Sequence, residues 1–216
     1  MREITFKIEE KQDGLMIRDF LRNFGVSSAL LTKLKQDENG INLNGEFAKA
    51  IAVLHTNDVL KIRIKNKGKM PEKFVCDKVK VAYDDEDILV LNKPPLMPVH
   101  ESRNHRGDTL ANVAACYMES DCAFRSVYRL DRDTSRLVLI AKNELAASKL
   151  AGKIKKDYYA VVKGKFKGDG TIDLPIRRVK ESIIERGVFD DGERAITHYK
   201  AIKNDGEKTL LKINLE

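Results

Sequence analysis

The chain has no tryptophan, only 6% aromatic residues, five prolines and three cysteines among its 216 residues. Cys76, Cys116 and Cys122 form no C-x-x-C pair, and an odd number without a secretory pattern excludes a disulfide framework, so they read as reduced packing residues. Their spacing with His100 and His105 fits no zinc pattern, and no metal is predicted. Long hydrophobic runs are missing too. The longest, Val113 to Met118, is too short to cross a bilayer or form a signal core, which points to the cytoplasm. Neither internal repeats nor low-complexity tracts occur. What is present is ordinary for a packed fold: 42% hydrophobic and 34% charged residues exclude disorder, collagen-like repetition and coiled-coil rods. Forty Lys and Arg against 33 Asp and Glu leave a net charge of +7, a balance that favours a polyanionic partner.

Along the chain, Ile17, Phe20, Leu21 and Phe24 recur at helical spacing and stop at Gly25, which suits the left-handed position after a helix. Ser27 or Ser28 can cap a second helix bearing Leu30, Leu31 and Leu34. Ile41 and Leu43 alternate with polar residues before Asn44-Gly45, a type I′ hairpin signal, and Val59 to Ile64 alternates again. The unit is therefore helix, helix, hairpin, strand. Arg18 and Arg22 lie one turn apart on the first helix and Lys33 and Lys35 on the second, so cations gather there, either as an RNA-docking face or as a solvated one. Lys61 to Lys80 is strongly basic, and residues 67–71 read as a linker.

Beyond the linker, Lys80–Tyr83 and Ile88–Leu91 flank the acidic run Asp84 to Asp87, the pattern of a hairpin. Leu137 to Ala141 suits a buried strand. Asn143 can cap a helix whose Ala147, Leu150, Ala151 and Ile154 form one face. Tyr158–Val162, Thr197–Lys203 and Leu211–Leu215 read as further strands, with a turn at Asn204-Asp205-Gly206.

The segment richest in chemistry is Tyr128-Arg129-Leu130-Asp131-Arg132-Asp133-Thr134-Ser135. A calcium loop starting at Asp131 would need glycine and glutamate where Arg136 and Lys142 stand, which excludes it. A phosphatase of the Asp-x-Asp type carries its nucleophile at the end of an apolar strand, whereas here the apolar strand follows the aspartates. That order argues against the phosphatase but leaves it open beside ion pairing of Asp131 and Asp133 with Arg129, Arg132 or Arg136 in a loop, or a catalytic carboxylate.

Two resemblances go further. Residues 13–64, with FLRNFGVSSALLTKLK and GINLNGEFAKA, resemble the small RNA-binding domain named after ribosomal protein S-four, which implies an RNA-docking role for Arg18, Arg22, Lys33 and Lys35. Residues 81–216 resemble the RluA-type pseudouridine synthases through Asp87-Ile88-Leu89-Val90-Leu91-Asn92-Lys93-Pro94, the Tyr128–Ser135 signature, Lys156-Asp157-Tyr158-Tyr159-Ala160 and the later Arg194–Tyr199 strand. This second resemblance implies an isomerase that converts uridine to pseudouridine without a cofactor, most naturally in large-subunit ribosomal RNA. It makes Asp131 the essential aspartate, Tyr158 the residue that stacks on the target base, and Arg129 the residue that takes that base's place in the RNA stack.

The expected fold is α+β. A helix-rich RNA-binding module spans residues 1–66, and after the 67–71 linker a mainly antiparallel catalytic domain spans 72–216. Two departures from the family pattern stand out. Arg136 replaces a glycine, and the chain ends at Glu216 where the family continues into a Thr-Gly-Arg-Thr-His-Gln-Ile-Arg stretch, which implies that the C-terminal part of the domain is missing. A noncatalytic RNA-binding protein on the same fold is the competing expectation.

Overall fold

The structure is a computed structural model that describes residues 1–119, 122–179 and 185–216. Its contacts divide it into two compact units, Met1–Lys153 and Ile154–Glu216. The first unit begins with strand β1 (Arg2–Lys7) and helices α1 (Ile17–Phe24) and α2 (Ser28–Gln36). Strands β2 (Ile41–Leu43), β3 (Glu46–Phe47) and β4 (Val59–Ile64) follow, and the four strands form an antiparallel sheet of order β1-β4-β2-β3.

Local chemistry accounts for these elements. Gly25 closes α1 at φ 108°, donating to the Arg22 carbonyl at 2.9 Å. The Ser27 hydroxyl caps α2 by accepting from the Leu30 N–H. Asn44 and Gly45 both take positive φ, 55° and 93°, as a type I′ turn between β2 and β3 requires. Ile17, Phe20 and Leu21 of α1 and Leu30, Leu31 and Leu34 of α2 face Ile41, Leu60, Ile62 and Ile64 in one apolar core. The module is not helix-rich, because its four strands contribute as many residues as its two helices. The helix-helix-hairpin-strand reading leaves out β1, a charged strand whose partner β4 lies more than fifty residues away.

A second core occupies the rest of this unit. Strands β5 (Lys80–Asp84), β6 (Ile88–Lys93) and β7 (Arg136–Ala141) form an antiparallel sheet of order β5-β6-β7. Leu89, Leu91, Val138 and Ile140 pack against helix α3 (Leu110–Ala114), whose Thr109 and Asn112 form a capping box. Helix α4 (Glu144–Leu150), capped by Asn143, follows β7. Its buried face is Leu145 and Ala146 rather than the expected Ala147, Leu150, Ala151 and Ile154, because α4 turns toward the first module.

Leu145 completes the first core, and Ser148 donates to the Gly25 carbonyl at 3.1 Å. The Lys149 ammonium lies 3.4 Å from the centre of the Phe24 ring, and a Cβ on Gly25 would sit 3.0 Å from Lys149 Cγ. The expected linker is packed as well. Asn66 is buried, donating to the Lys142 carbonyl and accepting from Arg125, and Met70 enters the second core.

The second unit is one antiparallel sheet made of β8 (Tyr158–Lys163), β9 (Asp169–Arg178), β10 (Arg186–Val188), β11 (Glu193–Asn204) and β12 (Lys208–Leu215). Its order is β10-β9-β11-β12-β8. The turn expected at Asn204-Asp205-Gly206 joins β11 to β12, with Asp205 Oδ1 accepting from the Glu207 and Lys208 N–H groups. No described helix is long and apolar enough to cross a membrane.

Candidate active site

Three segments of the first unit meet at the C-terminal end of β6. The alternation of β6 buries Leu89, Leu91 and then Lys93, which is only 1% exposed. A lysine in a core register is tolerable only if its ammonium is satisfied. Lys93 Nζ donates to three carbonyls, Met97 at 2.7 Å, Pro94 at 3.0 Å and Arg132 at 3.0 Å. One buried cation therefore ties the 94–97 loop to the loop that carries Asp131. Burial holds the Lys93 pKa below its ordinary value, while the carboxylates of Asp133 and Asp131 act in the opposite direction.

Asp131 sits in a tight turn closed by the Thr134 N–H donating to its carbonyl at 3.1 Å, and its side chain is exposed. Asp133 accepts from Arg132 Nε at 2.9 Å. The pairing of Arg129 with Asp133 that the loop reading allowed does not form. Arg129 is exposed and has no carboxylate partner among the described residues. Leu130 packs against the second core between them, so the chain lifts Arg129 and Asp131 to solvent from a fixed middle residue.

His100, weighed in the sequence only as a metal ligand, supports the same segment. Its Nε2 lies 2.9 Å from Ser126 Oγ and its ring meets Phe124 edge-on at 5.1 Å. Burial holds its pKa below the ordinary value, and the positive charge of Arg129 adds to that. Backbone strain gathers around this loop. Four described non-glycine residues have positive φ; two are asparagines in turns, and the other two are Leu96 at 64° and Arg136 at 96°. Leu96 lies in the loop that Lys93 anchors, and Arg136 pairs directly with Lys93 across β6 and β7. The glycine that the family pattern has at this position would hold such a backbone without strain.

The remaining expected residues belong to other elements. Tyr158 opens β8 of the second unit, half-buried and in register with Ile213. Beside it Asp157 pairs with Lys212 at 2.9 Å. On the first module Arg18, Arg22, Lys33 and Lys35 are all exposed. Arg18 pairs loosely with Asp19 at 3.6 Å, and Lys33 is held by Glu144 of α4 at 2.6 Å, whereas Arg22 and Lys35 have no acidic partner among the described residues. Lys93 escaped the sequence reading although a signal was present, a lysine in phase with Leu89 and Leu91 and followed by two prolines.

The architecture is that of an RNA-modifying isomerase fold. The human protein RNA Pseudouridylate Synthase Domain Containing 1 superposes with a TM-score of 0.52 at 19% identity, over 67% of this chain and 62% of that one. The family model for RNA pseudouridylate synthase matches residues 87–216, and the chain belongs to that family. It is 32% identical over 213 residues to the Bacillus subtilis RNA pseudouridine synthase YjbO, covering 94% of this chain and 75% of the relative. The ribosomal large subunit pseudouridine synthase D of Buchnera aphidicola is 36% identical over 170 residues, 74% of this chain. The chain spans only about half of that relative, 53%.

Proposed function

We propose that this protein isomerises uridine to pseudouridine in RNA, with large-subunit ribosomal RNA as the substrate class, and that it works in the cytoplasm where that RNA is made. The observation that carries this reading is the Asp131 turn. It presents an exposed carboxylate on a loop braced by the buried Lys93 ammonium, next to an arginine with no carboxylate partner among the described residues. In the reaction the glycosidic C–N bond breaks, the base turns, a C–C bond forms to the same sugar carbon, the base carbon gives up its proton and the freed ring nitrogen takes one, so no oxidant or reductant is required. A carboxylate suits both limbs of this exchange, by attack on carbon or by stabilising positive charge on the sugar as the base departs. Arg129 would enter the gap left by the flipped uridine, offsetting an unstacking cost of a few kcal/mol. Tyr158 would stack on the detached base.

In the same reading residues 1–66 dock structured RNA through Arg18, Arg22, Lys33 and Lys35, and residues 72–216 carry the chemistry. The placement of α1 and α2 on a shared core with exposed cations supports it. The competing reading, an RNA-binding protein without turnover, draws on Arg136, whose strained backbone lies at the root of the Asp131 loop.

Mapping pseudouridine in ribosomal and transfer RNA from a deletion strain tests both. A position lost on deletion, restored by the wild-type gene and not by Asp131→Asn supports the isomerase. An unchanged map overturns it and leaves the noncatalytic reading.

A further inference from the structure

The loop between Val99 and Thr109 has no role in the chemistry above, yet it is built with care. Ser102 and His105 exchange two backbone hydrogen bonds, Ser102 N–H to the His105 carbonyl at 2.9 Å and the reverse at 3.2 Å, which makes a miniature hairpin with Arg103 and Asn104 at its tip. Glu101 is turned back to brace it, accepting from the Gly107 N–H and from the buried Asn112 amide, each at 3.1 Å. Asp108 lies 3.0 Å from His105 Nδ1. Both acids of the loop are thus engaged within it. Its two arginines, Arg103 and Arg106, are exposed and have no acidic partner among the described residues. Arg106 also lines a cavity of about 630 Å³ together with Lys69, Glu72 and Glu101.

The position of the loop gives these cations meaning. It begins at His100, which is bonded to Ser126, and it continues the 94–97 stretch that Lys93 holds to Arg132. The two segments, 94–108 and 124–133, are therefore joined at both ends of the Arg129–Asp131 stretch. The stretch that Lys93 and His100 tie to the Asp131 segment thus carries two guanidinium groups, the side chains best matched to phosphate oxygens.

We propose that Arg103 and Arg106 form a backbone-phosphate site that holds the RNA strand flanking the target uridine. The proposal rests on the reading of Asp131 as the centre of an RNA-directed site, and it adds a contact that the S-four-like module does not provide.

The test measures binding of the full 216-residue chain to a fluorescent RNA hairpin with a uridine-rich loop as a function of salt. Each single-strand phosphate contact contributes about −0.7 to the slope of log affinity against log salt. Arg103→Gln with Arg106→Gln should flatten the slope by about 1.4 and weaken binding about tenfold or more, as expected for lost charge-assisted bonds. Lys78→Gln with Lys80→Gln, equally exposed cations on and before β5, is the charge-matched comparison and should leave the slope alone. An unchanged slope in the arginine variant, or an equal change in the lysine variant, overturns the proposal while leaving the isomerase reading intact. Failure of the wild-type chain to bind RNA at all overturns both. Uridine monophosphate forms the last arm: a loss of its affinity equal to that for the hairpin would assign the arginines to a lone phosphate and overturn the strand contact.

Discussion

The two units solve the problem of stability in opposite ways. In Met1–Lys153 two apolar cores are fully formed, and of the described buried hydrophobic residues only Leu211 lies in the second unit. Ile154–Glu216 has five hydrogen-bonded strands, but Ile172, Leu174, Ile176, Val188 and Leu215 remain exposed. Its order comes from ladder hydrogen bonds and cross-strand pairs such as Arg194 with Asp173 at 2.6 Å. A segment of 63 residues exposes too much of its surface for burial alone to hold it. The comparison teaches that the Asp131 loop stands on the well-buried unit, while Tyr158 rides on the sheet that depends on its edges.

The sharpest way to break this comparison is a matched pair of truncations. Leu21→Ala empties a fully buried position in the first core and should cost about 2–5 kcal/mol in denaturant unfolding. Leu211→Ala should cost distinctly less. Equal losses would mean that the second unit has a core of comparable worth. Next in size is Lys93→Met, which keeps volume but leaves three carbonyls without their donor, at a cost of about 2 kcal/mol. Here the loss of stability should be accompanied by faster amide exchange at Asp131 to Thr134. A stable variant with an unaltered loop would show that the ammonium anchors nothing.

Much of the architecture was legible in the sequence because its signals are local. Gly25, Ser27, Asn44-Gly45 and Asn143 each act on the residues beside them, and each stands where its chemistry suits it. What depended on distant partners was not legible. Strand β1 mixes charged residues with Ile4 and Phe6 and is defined only by pairing with β4, and the buried face of α4 was misread because Leu145 answers to a core formed by residues 8–64. At the site, Asp131 and Arg129 were visible through a specific motif. The anchoring by Lys93 and the bracing by His100 were hidden, since both act by hydrogen bonds to loops that sequence spacing does not bring together.

Smaller effects sharpen the contrast further. Arg136→Gly relieves a backbone at φ 96° and should raise stability by about 1 kcal/mol, since the left-handed penalty of 1–2 kcal/mol is partly offset by the entropy of glycine. A lowered melting temperature would show that the arginine makes contacts worth more than the strain. The last prediction concerns acid. Arg194 holds Asp173, and Lys212 holds Asp157, below the ordinary carboxylate value of 3.8. A depressed carboxylate stabilises the fold above its unfolded pKa, and that contribution disappears as pH falls through the folded value. Glu3, Asp37, Asp58 and Asp85 of the first unit are held low in the same way, so both units lose such a contribution below about pH 4, and the second, with little buried core behind it, should lose amide protection first. Simultaneous loss in both units would contradict the comparison.

The seating of Leu145 in the first core sets a timetable for synthesis. The module of β1 to β4 cannot close its interior when Ile64 is made, because one of its core residues is still 81 positions away in the chain. At translation rates of about 5–20 residues per second, that gap lasts on the order of 4 to 16 s. During it the docking ground for α4 beside Gly25 and Phe24 lies open. Folding of the first module is thereby linked to synthesis of α4, which follows β7 and the Asp131 turn.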